Sequence, residues 1–284
     1  MTIPLPPETE WRSLLERALL EDLDGVGDIT TAAVIPAGAS ARGRIVAREP
    51  GVVAGVPVAL EVFRMLDPSI RVEIGASEGA AVVEGGVLAT VDGAAAPILT
   101  GERIALNLLG RLCGIATRTA GLVAAVAHTG VAVAATRKTT PGLRALEKYA
   151  VVCGGGRPHR FGLFDAVLIK DNHLAVVGSI LSAVRAARAA VGDGVVVEVE
   201  VTTLDGLGEA IAAGADAVLL DNMDPSTVGE AVALAAGRVT LEASGGITPE
   251  TIVAFAETGV DVVSLGWLTH SVPALDVALD FITQ

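Results

Sequence analysis

The sequence predicts an α/β protein in which a small β-rich region precedes a barrel, or an incomplete barrel, of parallel strands. Before about residue 115, short β-type runs are separated by glycines; beyond it, strand and helix patterns alternate every 20 to 30 residues. This spacing implies parallel strands joined by right-handed crossovers. Hydrophobic residues make up 51% of the 284 residues and aromatic residues only 3%, which suits a dense α/β core.

The first part of the chain combines helical segments with glycine-punctuated strands. Helices are predicted at roughly Glu8 to Leu20 and Leu99 to Leu112, with β-type runs between them at 41–63 and 71–93. These runs indicate a small sheet or half-barrel. They also resemble a lipoyl-type hairpin, but no lysine precedes Lys138 to carry that cofactor, so we set this interpretation aside.

The second part of the chain contains six predicted strands with helices between them. The strands are predicted at 131–136, 165–170, 195–201, 216–221, 238–244 and 260–266. Helices are predicted, for example, at 179–191, 203–214 and 248–259, and each ends near a glycine, as helices often do. Six such units favour a barrel or incomplete barrel over a doubly wound sheet.

Polar or small residues stand at the ends of these strands, one strand after another. They are Arg137 and Lys138, then Lys170, Glu200, Asp221, Ser244 with Gly245 and Gly246, and Gly266. In an α/β barrel the C-terminal strand ends converge on one face, where active sites are built. We therefore predict a functional site at this face.

Glu198 and Glu200 are separated by one residue within a predicted strand. Residues at i and i+2 of a strand point to the same side, so both carboxylates face the barrel interior and the valines between and beside them face the helices. Buried acids need partners, and we predict that Lys138 and Lys170 on neighbouring strands supply them. The alternative to a functional role is an ion-pair network that only fills the barrel floor.

The charge distribution indicates a small anionic ligand. The formal net charge is −13, yet all three lysines, Lys138, Lys148 and Lys170, fall in one basic window between residues 137 and 173. A negative net charge and few aromatic residues disfavour nucleic acid and anionic membranes as partners. A locally positive pocket still suits a small anion. Cys113 and Cys153 lack the spacing of a disulfide framework or a zinc site and are predicted to be buried free thiols.

No targeting or membrane segment is predicted. The N-terminal residues lack a basic region followed by an apolar core, so no signal peptide is indicated. The most apolar run, Ala120 to Ala135, is interrupted by His128 and Thr129 and is shorter than the ~20 residues that a membrane helix needs. We therefore expect a cytoplasmic protein.

The candidate site residues fall into groups that suit different parts of a ligand. The basic members are Arg137, Lys138, His159, Arg160 and Lys170. They suit carboxylates, because arginine binds a carboxylate bidentately and lysine binds it as a point charge. Glu200 and Asp221 suit ribose hydroxyls or a hydrated Mg2+ ion. The turns at 244–247 and 264–267 can bind a phosphate through backbone N–H groups, so the site as a whole suits a polyanionic acid beside a phosphorylated sugar.

The same segments resemble the quinolinate phosphoribosyltransferases, the decarboxylating nicotinate-nucleotide pyrophosphorylases. The motifs are "TRKTTPGLRALEKYAVVCGGGRPHRFGLFDAVLIKDNH", "EVEV", "LLDNM", "LEASGGI" and "LTHS", with "EDLDGVGDITT" and "GERIALNLLGRLCGIAT" earlier in the chain. The resemblance covers nearly the whole chain. It implies a homodimer whose subunit has an N-terminal α/β sandwich domain, residues 1–113, and an open α/β barrel domain, residues 114–284, with the last residues packing back on the first domain.

The resemblance also implies a reaction and a set of site residues. The family joins quinolinate to phosphoribosyl pyrophosphate in the presence of Mg2+, giving nicotinate mononucleotide, pyrophosphate and CO2 in de novo NAD biosynthesis. The implied quinolinate ligands are Arg137, His159, Arg160 and Lys170, with Arg103 donated across the dimer interface. The implied catalytic residues, around phosphoribosyl pyrophosphate and its metal, are Lys138, Glu200 and Asp221, and Thr136 of the same motif is placed among the substrate-binding residues. The implied 5′-phosphate site is formed by Ser244, Gly245, Gly246, Leu265, Gly266 and Trp267.

Three positions differ from the pattern typical of the family. Ala135 stands where an aspartate usually precedes "TRK", Pro158 where an asparagine usually precedes "HR", and Trp267 where a small residue usually follows the glycine. These differences leave two alternatives open. One is a related phosphoribosyltransferase that acts on another pyridine carboxylate, and the other is a non-catalytic paralogue that binds a phosphosugar.

Overall fold

The structure, a computed structural model, describes residues 3–282. The strands within these residues are β1 Ser40–Ala47, β2 Gly51–Val52, β3 Arg71–Ile74, β4 Ala81–Val82, β5 Val87–Ala94, β6 Ala132–Ala134, β7 Val167–Ile169, β8 Val197–Val201, β9 Ala217–Asp221, β10 Thr240–Ser244, β11 Val262–Ser264 and β12 Val277–Phe281. The α-helices are α1 Arg12–Leu23, α2 Ile29–Val34, α3 Val56–Leu66, α4 Ala95–Val126, α5 Arg144–Cys153, α6 Asp171–Val177, α7 Ile180–Val191, α8 Leu204–Ala213, α9 Pro225–Ala235, α10 Ile252–Ala256 and α11 Trp267–His270. A 3-10 turn at Glu8–Glu10 precedes α1.

One compact unit is built around an antiparallel sheet. It comprises the residues up to Ala120, Thr139–Gly155 and the residues from Leu268 onwards. The strand order in its main sheet is β12-β1-β5-β3, and β2 pairs with β4 in a second small sheet. Fully buried side chains from α3, α4 and α5, including Phe63, Leu109 and Leu146, form its core together with residues of the sheet. This unit confirms the α/β sandwich that was expected for the N-terminal region.

The units do not follow from a single cut in the chain between residues 113 and 114. Residues 139–155 and the segment from Leu268 group with the N-terminal residues. Within this segment β12 pairs antiparallel with β1, with Leu279 opposite Ile45. The C-terminal strand therefore completes the sheet of the first unit.

The other compact unit, Gly121–Lys138 with Gly156–Trp267, contains a parallel sheet of six strands. Its strand order is β6-β11-β10-β9-β8-β7, and helices α7, α8 and α9 pack side by side. All six predicted strands are present, somewhat shorter than predicted at their ends. The two edge strands, β6 and β7, do not pair with each other among residues 3–282, so the sheet stays open. The predicted open α/β barrel is confirmed.

Helix α4 is much longer than the predicted helix at 99–112. The helix continues through its glycines. Small residues are required at some of these positions because other segments pass close by. A Cβ atom at Gly114 would lie 2.2 Å from the Pro273 carbonyl oxygen. By length and composition α4 is the one described helix that could cross a membrane, and α6 with α7 passes only as a pair bent by 97°. More than half of the most apolar stretch of α4 is buried, as is typical of a core helix.

The two cysteines behave as the sequence predicts. Cys113 and Cys153 are buried and form no disulfide. Burial raises the pKa of each thiol to about 12. Neither side chain is therefore a reactive thiolate near neutral pH.

Candidate active site at the strand ends

A cavity of about 470 Å3 lies at the C-terminal ends of the parallel strands. Its lining includes residues from the ends of all six strands. The predicted site residues that it brings together are Thr136, Arg137, Lys138, His159, Arg160, Lys170, Glu200, Asp221, Ser244, Gly245 and Gly246. The predicted residues outside its lining are Arg103, Leu265, Gly266 and Trp267. Of the three lysines, Lys148 is instead buried in α5.

Two arginines form the core of the positive part of the cavity. The Nε atom of Arg137 is buried and has no hydrogen-bond partner among residues 3–282. Burial, and then the charge of Arg137, lower the pKa of the nearby Arg160 guanidinium. Two guanidinium groups that repel each other, one with an unused donor, favour the binding of an anion.

The acidic part of the cavity is formed by Glu200 of β8 and Asp221 of β9. Glu200 forms an ion pair with the Lys170 ammonium group at the end of the adjacent strand β7. The predicted second partner, Lys138, follows β6 at the opposite edge of the sheet, so it is not on a strand that pairs with β8, although it lines the same cavity. The Asp221 carboxylate accepts a hydrogen bond of 2.8 Å from the Asn222 side chain. On the neighbouring strand β10, the residue opposite Asp221 is Ser244.

The turn after β10 requires glycine at two successive positions. Gly245 has φ +93°, and a Cβ atom there would lie 2.3 Å from Asn222 Oδ1. Gly246 has φ +65°. Larger residues would therefore both strain the backbone and collide with the turn after β9. The Ser244 and Ser264 hydroxyls lie 3.0 Å apart, which links this turn to the end of β11.

The turn after β11 contacts both neighbouring turns. A Cβ atom at Gly266 would lie 2.5 Å from Lys138 Cδ, so the absence of a side chain makes room for this lysine. The Trp267 indole N–H donates to the Ile247 carbonyl oxygen at 2.8 Å. The unusual tryptophan thus ties this turn to the glycine turn after β10. The Leu265 N–H already donates to the Ala134 carbonyl at 3.0 Å, so it is not available to a phosphate.

A cluster at the floor of the cavity was only partly foreseen. His159 Nε2 lies 2.9 Å from Glu242 Oε2 and 3.7 Å from Glu198 Oε2. Both glutamates are buried, with exposed fractions of 6% for Glu198 and 4% for Glu242. Glu198 thus lies beside an acid and a histidine, while the predicted partner Lys170 makes a smaller contribution to its electrostatics. Sequence reasoning missed Glu242, although it stands two residues before Ser244 and must face the same side of its strand.

Burial, and then the charge of Glu242, raise the pKa of Glu198 to about 7. This value is above the ~4.3 of an exposed glutamate, so the stabilising contribution of the proton is complete at low pH and is lost as pH rises towards 7. We expect Glu198→Gln to remove a pH-dependent loss of unfolding free energy on the order of 3 kcal/mol. Denaturant unfolding from about pH 4 to pH 8 measures this difference. The exposed Glu230→Gln is the control, and identical slopes for wild type and Glu198→Gln would contradict the assignment.

Arg103 lies elsewhere in the fold. It is exposed on α4 in the first compact unit, where it lines a groove with Arg111 and Asp276. The cavity lining in the described residues does not include it. Arg103 could therefore take part in catalysis only at a site other than the cavity of its own chain.

The fold and the cavity define an open α/β-barrel protein, preceded by an α/β sandwich, with a cavity lined by basic and acidic side chains at the strand ends. Residues 28–113 match the N-terminal domain of quinolinate phosphoribosyl transferase, and residues 115–280 match its C-terminal domain. The chain belongs to the quinolinate phosphoribosyl transferase family.

Relatives are similar over nearly their whole length. A probable nicotinate-nucleotide pyrophosphorylase (carboxylating) from Bacillus subtilis is 46% identical over 269 residues, which cover 95% of this chain and 92% of the relative. A nicotinate-nucleotide pyrophosphorylase (carboxylating) from Mycobacterium leprae is 48% identical over 276 residues, which cover 95% and 96%. The solved structure of nicotinate-nucleotide pyrophosphorylase from Francisella tularensis superposes with a TM-score of 0.94 at 40% identity, covering 99% of each chain.

Proposed function

We propose that this protein is a quinolinate phosphoribosyltransferase of de novo NAD biosynthesis. It would convert quinolinate and phosphoribosyl pyrophosphate to nicotinate mononucleotide, pyrophosphate and CO2. The observation that carries the proposal is one cavity that brings together the Arg137 and Arg160 guanidinium groups, the Glu200 and Asp221 carboxylates and the glycine turn after β10, with an Arg137 Nε that has no partner among residues 3–282. The names of the full-length relatives support it. A cytoplasmic location stays a prediction from the sequence.

The positive part of the cavity suits quinolinate. Arg137 and Arg160 present planar guanidinium groups that match carboxylates, and Lys170 adds a point charge. The buried Arg137 Nε has no partner in the described part of the chain, which fits an arginine whose counter-charge is supplied by a ligand. Binding in this part of the cavity would orient the pyridine nitrogen towards the ribose.

The remaining cavity residues suit phosphoribosyl pyrophosphate. The ring nitrogen displaces pyrophosphate from the ribose carbon, so positive charge develops on the sugar, and Glu200 and Asp221 are placed to stabilise it. Lys138 would balance the charge of the departing pyrophosphate. As CO2 leaves, the electron pair of the broken C–C bond stays on the ring carbon, where the adjacent positive pyridinium nitrogen stabilises it, and a proton then takes the place of the carboxylate. No protein nucleophile is required.

The donor set also fits Mg2+. Glu200 and Asp221 end adjacent strands and both line the cavity, and carboxylate oxygens are ligands that Mg2+ prefers. These two side chains would hold the ion, in part through water. The ion supplies positive charge to the pyrophosphate group.

Product analysis tests the proposed function. Wild-type protein is incubated with phosphoribosyl pyrophosphate and either quinolinate or nicotinate, and release of CO2 and pyrophosphate is measured. Release of both from quinolinate supports the proposal. Pyrophosphate release from nicotinate alone, without CO2, would identify a related phosphoribosyltransferase. Release from neither substrate would identify a binding paralogue.

A homodimer with a shared site is part of the proposal. Arg103 is exposed and outside the cavity lining, so we expect it to complete the site of a second copy of the chain. Mixing inactive Arg103→Ala and Lys138→Ala chains should restore part of the activity, because some hybrid dimers carry one intact site. Absence of rescue, under conditions in which labelled subunits demonstrably exchange, would overturn the shared site.

A further inference from the structure

The cluster of His159, Glu198 and Glu242 has no role in the chemistry proposed above. It lies at the floor of the cavity, which both His159 and Glu242 line. Three side chains that offer metal ligands converge there, with ligand atoms within 4.8 Å of one another. Their hydrogen bonds decide which function the cluster has.

The donors and acceptors around His159 fix the proton on its ring. The Arg160 backbone N–H donates to His159 Nδ1 at 2.8 Å. A backbone amide can only donate, so Nδ1 presents a lone pair and the proton of a neutral ring is on Nε2. Nε2 in turn lies 2.9 Å from Glu242 Oε2, which accepts this proton as a hydrogen bond.

This pattern opposes a metal ion in the cluster. A metal bound at Nε2 would need the lone pair of that nitrogen and would move the proton to Nδ1. Nδ1–H would then face the Arg160 N–H, donor against donor.

The hydrogen bond from the Arg160 N–H to the His159 ring stabilises a turn with an unusual backbone conformation. His159 has φ +54°, a left-handed conformation that is strained for a residue with a side chain. Its ring bonds to the next backbone N–H, and Glu242 of β10 holds the other end of the ring. The turn leads directly into Arg160, whose guanidinium lines the cavity and approaches the Ala166 carbonyl at 3.4 Å.

We propose that Glu242 is a positioning residue for the quinolinate side of the site. It anchors the neutral His159 ring and, through it, the backbone turn that presents Arg160. Quinolinate is then bound beside this turn, where Arg137, Arg160 and Lys170 line the cavity together with His159. This inference rests on the proposed function.

Two variants of Glu242 test the anchor. Glu242→Leu has no acceptor for the Nε2 proton, so quinolinate affinity measured by calorimetry without phosphoribosyl pyrophosphate should weaken by about tenfold. Glu242→Gln keeps an acceptor oxygen and should recover most of that loss. The KM for phosphoribosyl pyrophosphate should not change in either variant. Equal weakening for both substrates, or equal quinolinate affinity in Glu242→Leu and wild type, would overturn the proposal.

Nitrogen NMR of the histidine rings decides the outcome if Glu242→Leu does not fold. The His159 signal in the wild-type protein is assigned by its loss in His159→Gln. We expect a neutral ring protonated only at Nε2, both in the free protein and with quinolinate bound. A ring protonated at Nδ1, or at both nitrogens, would overturn the inference. Wild-type protein that does not bind quinolinate at all would instead refute the proposed function.

Discussion

Asp221→Asn is expected to lower the single-turnover rate of phosphoribosyl transfer by about a hundredfold or more, while quinolinate binding is retained. Asp221 ends β9 beside the glycine turn and lines the cavity. Asparagine cannot supply the negative charge that stabilises a developing cationic ribose or holds a hydrated Mg2+. Quinolinate is itself an anion, so loss of a carboxylate does not weaken its binding. Rapid-quench measurement of the bound substrates, with calorimetry for quinolinate, gives both quantities.

Glu200→Gln provides an informative comparison. Glu200 is ion-paired with Lys170, which the proposed function assigns to quinolinate. Its removal should therefore slow transfer but strengthen quinolinate binding, because Lys170 no longer has an internal counter-charge.

Asp224→Asn is the matched control for these variants. Asp224 is outside the cavity lining and caps α9, a position that asparagine also fills well. Its turnover should equal that of wild type. If Asp221→Asn is destabilised and yet retains wild-type turnover, the acid only balances charge in the barrel and the site assignment is wrong.

Arg111→Met is expected to destabilise the first compact unit by about 3 to 5 kcal/mol. The Arg111 guanidinium donates to Glu147 Oε1 through Nε at 3.2 Å and Nη2 at 2.8 Å, and Glu147 has an exposed fraction of 0%. The other Glu147 oxygen accepts from the Thr140 N–H at 2.9 Å, and Arg111 also donates to the Thr269 carbonyl. Removal of the arginine leaves a buried carboxylate without its cation.

Denaturant unfolding measures this loss. Arg48→Met is the matched control, because Arg48 forms an ion pair with Asp280 at the surface, with exposed fractions of 45% and 48%. Such exposed pairs typically contribute up to about 1 kcal/mol. Similar losses for the two variants would show that the Arg111–Glu147 pair is no more important for stability than a surface pair.

The strands and most of the cavity could be predicted because their signals are local. Apolar runs at regular spacing define the parallel strands, and a charged residue after each run places that charge at the common face. Lys170, Glu200 and Asp221 were found in this way, and all three line the cavity. The pairing order is not a local signal, and for this reason the sequence did not show that β6 and β8 are not paired neighbours.

Contacts between residues far apart in the chain could not be predicted from the sequence either. In the sequence, Glu242 is a single polar residue in a short strand. Only the structure shows that its carboxylate contacts the His159 ring. The length of α4 was underestimated because glycine usually weakens a helix, whereas Gly114 is required by the close approach of Pro273. Neither effect is visible in a window of neighbouring residues.

The pairing of β12 with β1 bears on how the protein folds during synthesis. Arg48, just after β1, and Asp280 of β12 are in contact although 232 residues separate them. On the ribosome β1 therefore emerges long before its partner, and its edge lacks that partner until β12 has been translated. All six strands of the parallel unit precede β12 in the chain, so that unit has all of its strands earlier. The N-terminal sheet, although made first, is thus the part of the molecule that is completed last, and its waiting edge is where a nascent chain would depend most on chaperones.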